Sequence, residues 1–391
     1  MAATDTLNIE RFDDLLRYLR QYGHLARLDL PKVTRLEGGV SNRTVRVDCG
    51  DGRVLVLKQA LPRLRVATEW FSDPRRIDQE ALGLRWLEHL APPGAITPLL
   101  FHDPDRHLLA MQAVPLPHEN WKTQLLAGRV ELRHVEQFAR LLATLHQRSR
   151  DHAARPTTPS RAAIQGLDSP EVRPGGGTDK AHFESREPRA HPDLPSGPSS
   201  PRADLARVFA NRDFFESLRL EPYYRFTAAR HPATAGFFSE LIAETLDCRL
   251  ALTHGDYSPK NILVHRDRLV LLDHEVIHFG DPTFDLGFSL THLLSKAHHL
   301  PSQREDLLHA ARLYWQCYRR TVGDLAWTAG FESRAARHTL GCLLARVDGR
   351  SPLEYLSGPE RDRQQGIALT LIAKPPATIP GLIAEFERRL A

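Results

Sequence analysis

The sequence predicts a two-lobed α+β protein, with a small antiparallel sheet in the first lobe and a larger, mainly helical second lobe. Three observations carry this. The chain has 391 residues, of which 41% are hydrophobic and 26% charged, and a single core stops growing at roughly 250–300 residues. Residues 33–58 are rich in β-branched side chains around a Gly-containing turn, the pattern of strands. Beyond Pro115 the apolar residues recur at helical spacing.

Taken in order, Ile9, Phe12, Leu15, Leu16 and Leu19 form an apolar stripe that predicts a first helix packed on the first lobe. Val33 to Val47, the turn Cys49-Gly50-Asp51-Gly52, and Arg53 to Lys58 read as an antiparallel meander. A helix follows from Pro74 to Leu90, with Ile77, Leu84 and Leu87 on one side and Asp73 as its N-cap ahead of the proline. Arg106 to Val114 is extended and is stopped by Pro115 and Pro117. Glu131 to Gln147 is helical through Val135, Phe138, Leu142 and Leu145. The expected organisation is therefore a first lobe over 1–114, a linker and first helix of the second lobe over 115–150, and the rest of the second lobe over 203–391. Between them, 151–202 is Pro-, Ser- and Gly-rich with almost no large apolar residues, so it is expected to be a disordered insertion unable to offset its ordering entropy.

Composition narrows the function classes. The formal charge of +4 is scattered among acidic residues, so no nucleic-acid partner is expected. No run reaches the roughly 20 apolar residues that span a bilayer, and the start lacks a basic-then-apolar leader pattern, so a cytoplasmic protein with no membrane partner is expected. Cys49, Cys248, Cys317 and Cys342 lie far apart without metal-ligand spacing and read as buried thiols in a reducing compartment. The oligomeric state is left open.

The most informative stretch is Leu252 to Gly287, LTHGDYSPKNILVHRDRLVLLDHEVIHFGDPTFDLG. Ile262–His265 and Leu269–Leu272 are short apolar runs separated by Arg266-Asp267-Arg268, a tight hairpin. A hairpin brings the residue before its first strand close to the residue after its second. Asn261 and Asp273 hold those places, so an amide oxygen and a carboxylate converge, as a hard cation such as magnesium prefers. Asp256 lies on the loop entering the same hairpin, beside that point. Isolated aspartates commonly cap turns or end strands, but three polar residues at this spacing supply what phosphoryl transfer needs: a carboxylate to orient a hydroxyl, and ligands for a cation that neutralises phosphate oxygens.

H-G-D-x-x-x-x-N at His254–Asn261, then L-L-D-x-E, then G-D-P-x-x-D-L-G together resemble the catalytic signature of the aminoglycoside phosphotransferase and choline kinase superfamily, which has the protein-kinase-like fold. The resemblance implies an ATP-dependent kinase using Mg2+ and acting on a hydroxyl of a small molecule. It makes Asp256 the base, Asn261 and Asp273 the metal ligands, and Asp285 a brace for the catalytic loop. Glu275 matches a position that in some members also approaches the metal, and would otherwise be an exposed loop carboxylate.

The resemblance also places ATP under the first lobe. Gly38 and Gly39 would let the backbone approach phosphate, with Ser41 and Asn42 adding donors. Lys58, at the end of LVLKQA, resembles the kinase lysine that binds the α- and β-phosphates, held by Glu80, with Glu69 and Glu88 as competitors. The adenine would hang from backbone at Gln112 and Val114. A protein kinase is disfavoured, since D-x-E replaces D-F-G. A catalytically inactive nucleotide-binding module is the reading from another class.

For the acceptor, LVLKQALPRLRV and Gly341–Gly349 are similar to methylthioribose kinases, which carry a paired arginine where this chain has Ala345 and Arg346. Candidate acceptors are a methylthioribose-like sugar, a hydroxy acid, an aminoglycoside and a choline-type amino alcohol. Trp315, Tyr318 and Trp327 could form a cage for the last, or belong to a helical core. Leu340, Leu343, Leu344 and Val347 mark the buried face of the late helix. Arg334, His338 and Arg346 form another stripe, either a solvated basic face or, for Arg346, an acceptor contact.

Overall fold

The computed structural model describes residues 7–36, 39–65, 69–154 and 205–390. The first lobe holds α1 (Phe12–Gln21), β1 (Lys32–Arg35), β2 (Asn42–Asp48), β3 (Val54–Ala60), α2 (Arg76–Leu90), β4 (Leu99–Asp103) and β5 (Leu108–Gln112). Its sheet is antiparallel throughout, in the order β1-β2-β3-β5-β4. β4 is a strand that the sequence reading did not single out. Alternation sends Val45, Val47, Leu55, Leu57, Leu108 and Ala110 to one face, where they pack against Ile9, Leu15, Tyr18 and Leu19 of the α1 segment. Asp73 is not the N-cap of α2. Its Oδ1 accepts from the Arg75 amide at 2.9 Å and caps the turn ahead of the helix, which begins at Arg76.

The chain then crosses through β6 (Glu119–Asn120), α3 (Trp121–Leu126) and α4 (Leu132–Ala154). α4 runs past its expected end at Gln147 and takes in the first residues of the presumed insertion. From residue 155 to 204 that call lies outside the described residues.

The second lobe continues with α5 (Leu205–Val208), α6 (Asp213–Phe215), a π-helical segment Glu216–Arg225, α7 (Phe226–Arg230) and α8 (Ala235–Asp247). Next come β7 (Ala251–Thr253), β8 (Ile262–His265), β9 (Arg268–Leu271), β10 (His278–Gly280), α9 (Pro282–His299), α10 (Arg304–Val322), α11 (Phe331–Asp348), α12 (Gly358–Ala373) and α13 (Ile379–Leu390). α9 and α11 are the central pair. They cross at Gly287, where an added Cβ would meet His338 Cβ at 2.4 Å and its carbonyl carbon at 2.7 Å. α11 is buried on nearly every side, so its polar stripe is not a solvated face: Arg334 Nε donates to Asp281 Oδ2 at 2.6 Å, and His338 lies 2.7 Å from Tyr224 Oη. Trp315 and Tyr318 sit in the helical core, and Trp327 stands 67% exposed, so the three form no cage. Among the described residues no helix is long and apolar enough to cross a membrane.

Candidate active site

The β8–β9 hairpin is closed by Arg266 and Asp267 alone, with His265 opposite Arg268. Both turn residues have positive φ, 47° and 61°, the conformation of a type I′ turn whose twist matches the flanking strands. At the open end the Leu272 amide donates to the Asn261 carbonyl at 2.9 Å. Asn261 and Asp273 are thereby brought to one mouth. Asp273 has φ 68°, a strained backbone for a non-glycine residue, of the kind that functional sites retain.

Asp256 is held by two side chains, and a third braces the loop that carries it. Asn261 Nδ2 donates to its carbonyl at 2.9 Å and to its Oδ2 at 2.8 Å. Arg219, in the π-helical segment, lies with Nη2 3.0 Å from the same Oδ2, and its Nε donates to the Gly255 carbonyl at 2.8 Å. Among the described residues no donor is bonded to Asp256 Oδ1. Asp285, in the first turn of α9, accepts from the His254 amide at 2.7 Å and the Gly255 amide at 2.8 Å. Gly255 has φ 77°, and a Cβ there would meet Val276 at 2.9 Å. The loop geometry thus requires glycine immediately before the aspartate.

The first lobe supplies the facing wall. Lys58 Nζ donates to Glu80 Oε1 at 2.6 Å and to Asp273 Oδ1 at 2.9 Å. Burial opposes its charge, but the Asp273 and Glu80 carboxylates raise it and keep the lysine protonated. Burial pushes Glu80 up to about 7 against the pull of Lys58. Burial also opposes the Asp273 charge, yet Lys58 and Lys260 hold that carboxyl well below its ordinary range. Glu69 and Glu88 take no part in this pairing.

Glu275 is not an exposed loop carboxylate. It is 6% exposed and its Oε2 lies 3.1 Å from Arg76 Nε. Arg76 also donates to the Leu61 and Ser41 carbonyls, tying the base of the Gly-rich turn to the segment behind Asp273. Burial, with the neighbouring Asp273 charge, raises the Glu275 carboxyl.

One cavity of about 790 Å³ runs between the lobes. Gly39, Ser41, Asn42, Lys58, Gln112 and Val114 line it from the first lobe, and Asp256, Asn261, Asp273, Glu275 and Arg346 from the second. Glu80 and Asp285 stand behind it, acting through Lys58 and the loop. Gly38 lies outside the described residues. Asn261 uses its amide nitrogen on Asp256, which turns its oxygen free, and Asp273 keeps one oxygen beyond Lys58. A neutral oxygen beside a carboxylate suits magnesium, which keeps water and phosphate oxygens as its other ligands.

Sequence reasoning missed Arg219, Arg76, Tyr223, His292 and Lys296. His292 and Lys296 left a trace as polar interruptions of the apolar run FDLGFSLTHLLSKAHH. Arg219 left none, being one arginine among scattered charges.

Methylthioribose kinase of Pectobacterium atrosepticum is 26% identical over 324 residues, covering 78% of this chain and 73% of that protein. Its counterpart from Yersinia enterocolitica is 27% identical over 346 residues, covering 81% and 78%. The solved structure of amicoumacin kinase hAmiN in complex with AMP-PNP, Ca2+ and Ami superposes with a TM-score of 0.53 at 12% identity, covering 94% of each chain, and shares the fold. The sequence profile of the phosphotransferase enzyme family matches residues 32–321, which hold the first-lobe wall of the cavity and, on the second, Asp256, Asn261, Asp273 and Glu275 but not Arg346. With the two-lobed kinase-like fold and the loop around Asp256, that match means the chain belongs to the phosphotransferase enzyme family and is a small-molecule kinase.

Proposed function

We propose that the chain moves the γ-phosphate of ATP to a hydroxyl of a small sugar-like or hydroxy-acid acceptor. The observation that carries this is Asp256: Asn261 Nδ2 donates to its Oδ2, Arg219 is ion-paired with the same oxygen, and the residue lines the cavity beside Asn261 and Asp273. Oδ1 is placed to accept the acceptor's proton as the hydroxyl attacks phosphorus, while Arg219 and Asn261 fix the angle of the carboxylate. Asn261 and Asp273 would hold Mg2+, with Glu275 behind them, and the ion would neutralise charge on the phosphate oxygens. Lys58, oriented by Glu80, faces the phosphates. The Gly39–Asn42 turn covers them with backbone and small donors. The amides of Gln112 and Ala113 already donate to Pro98 and Val54 at 2.9 Å each, so adenine recognition falls to the Gln112 carbonyl and the Val114 amide.

Relatives named methylthioribose kinase support a sugar-like acceptor. A polycationic aminoglycoside fits less well, since Lys122, Lys260 and Arg346 line the second-lobe wall. An inactive nucleotide-binding module would not need the fixed carboxylate. The test is transfer itself: ATP labelled at the γ-phosphate, magnesium and a panel of small alcohols should give a phosphorylated alcohol, identified by mass. Nucleotide binding with no transfer to any alcohol would favour the inactive module.

A further inference from the structure

Beyond Asp256 the cavity is lined by buried cations and donors whose neighbouring carboxylate, Glu354, is already paired with Lys122. Arg346 is 8% exposed, and its Nη1 donates to Tyr223 Oη at 3.2 Å, to Ser351 Oγ at 3.0 Å and to the Ser351 carbonyl. Its Nε is buried with no partner. His292, on α9, lines the cavity, is 5% exposed, and has a buried Nε2 with no partner. One turn further, Lys296 is fully buried. Its Nζ reaches only the His292 carbonyl, at 3.3 Å, and the face of Tyr355, at 5.2 Å from the ring centroid. Burial, with repulsion from Lys122 and Arg346, pushes this lysine down to about 7. The carboxylate at this end, Glu354, is bonded to Lys122.

Buried polar groups are almost always satisfied, and a buried charge without a counter-ion is costly. Two such defects on the lining of one cavity, with Lys296 buried behind them, have a common explanation in a ligand that brings negative charge. Their position says which ligand. Arg219, paired with Asp256, has its guanidinium 5.9 Å from the centroid of the Tyr223 ring, and Arg346 stands 5.6 Å from the same centroid. The Tyr223 ring therefore stands beside both the arginine that pairs with the base and Arg346, which puts the two ends of an acceptor against one aromatic side chain.

We propose that the acceptor carries a carboxylate, which docks on Arg346 and His292 with Lys296 behind them, while its hydroxyl meets Asp256. This rests on the phosphoryl-transfer reading, but it selects hydroxy acids and sugar acids over neutral sugars, methylthioribose included. No bond changes at this end. The carboxylate is held, and its counter-charge fixes which hydroxyl faces the base.

The test compares matched pairs as acceptors: glycerate with glycerol, ribonate with ribitol, gluconate with glucitol, and 5-methylthioribose as a further neutral sugar. The expected result is a kcat/KM for the acid of at least one pair roughly 10- to 100-fold above its neutral partner and above methylthioribose. Arg346→Gln and Lys296→Met should each bring that ratio toward one. Lys296→Met replaces an unpaired buried ammonium by an apolar chain of similar length, so its melting temperature should hold or rise, which keeps the comparison interpretable. Preference for a neutral sugar, or an acid preference that survives both variants, overturns the inference and leaves the kinase reading intact. If no alcohol is phosphorylated, the kinase reading fails first. Calorimetry with the same acids then decides the inference: binding that Arg346→Gln abolishes supports it, and no binding of any acid sinks it.

Discussion

Arg219 and Asp256 form an ion pair whose side chains are 8% and 12% exposed, and replacing Arg219 by Met isolates the effect of that pair. Removing one partner of a buried pair costs about 3–5 kcal/mol, because the other charge is left uncompensated. Here the loss is smaller. Asn261 Nδ2 still donates to Asp256 Oδ2 at 2.8 Å, and the carboxylate borders a cavity that water can enter. About 2–3 kcal/mol is therefore expected for Arg219→Met. In an Asp256→Asn background the arginine faces a neutral amide, and the same change should cost about 1 kcal/mol in packing and in the bond to Gly255. The difference, a coupling energy of about 1–2 kcal/mol, is read from urea midpoints of wild type, both single variants and the double variant. Arg219→Lys should restore part of it, since an ammonium keeps the charge but cannot also reach the Gly255 carbonyl in the same fork geometry. A coupling energy below about 0.5 kcal/mol, the scatter of independent sites, would show that the pair does not hold Asp256.

Two further outcomes follow from the same geometry. Gly287→Ala places a methyl 2.4 Å from His338 Cβ and 2.7 Å from backbone at the α9–α11 crossing, so it should cost at least about 3 kcal/mol, or prevent folding; a stable variant would mean the helices separate easily. Asp273→Ala should weaken Mg-ATP binding by about tenfold or more while affecting metal-free ATP binding less, because Lys58 keeps Glu80 as a partner; equal titration curves for variant and wild type would contradict the proposed metal site.

What could be read in the sequence depended on how local each cause was. The β8–β9 hairpin announced itself because two short apolar runs and the polar residues between them are neighbours in the chain, and its ends carry Asn261 and Asp273 together; the turn is Arg266-Asp267 alone, one residue shorter than the reading, with Arg268 in the second strand. The meander and most of the α1 stripe were legible for the same reason; Phe12, read as part of that stripe, is 45% exposed. The extra strand β4 was not, since it pairs through a register shift between Leu99 and Phe101 that blurs alternation. Arg219 reaches Asp256 from a π-helical segment containing Pro222, a conformation without a periodic signature. In α11, burial on nearly all sides removes the contrast between faces on which a helical reading depends, so Arg334 and His338 looked solvated and are not. The anion-poor end of the cavity needed three elements at once, α9, α11 and the Ser351 turn, and no spacing in the chain encodes their meeting.

Phosphoryl transfer as proposed depends on Asp256 as its base, and rapid-quench measurement of a single turnover of ATP with the best acceptor, for wild type and Asp256→Asn, tests this most directly. The amide keeps the shape of the carboxylate but cannot take a proton. The transfer rate should fall by about 10³-fold or more with ATP affinity kept within roughly threefold, whereas an Asp256→Asn variant retaining about a tenth of the wild-type rate would contradict the mechanism.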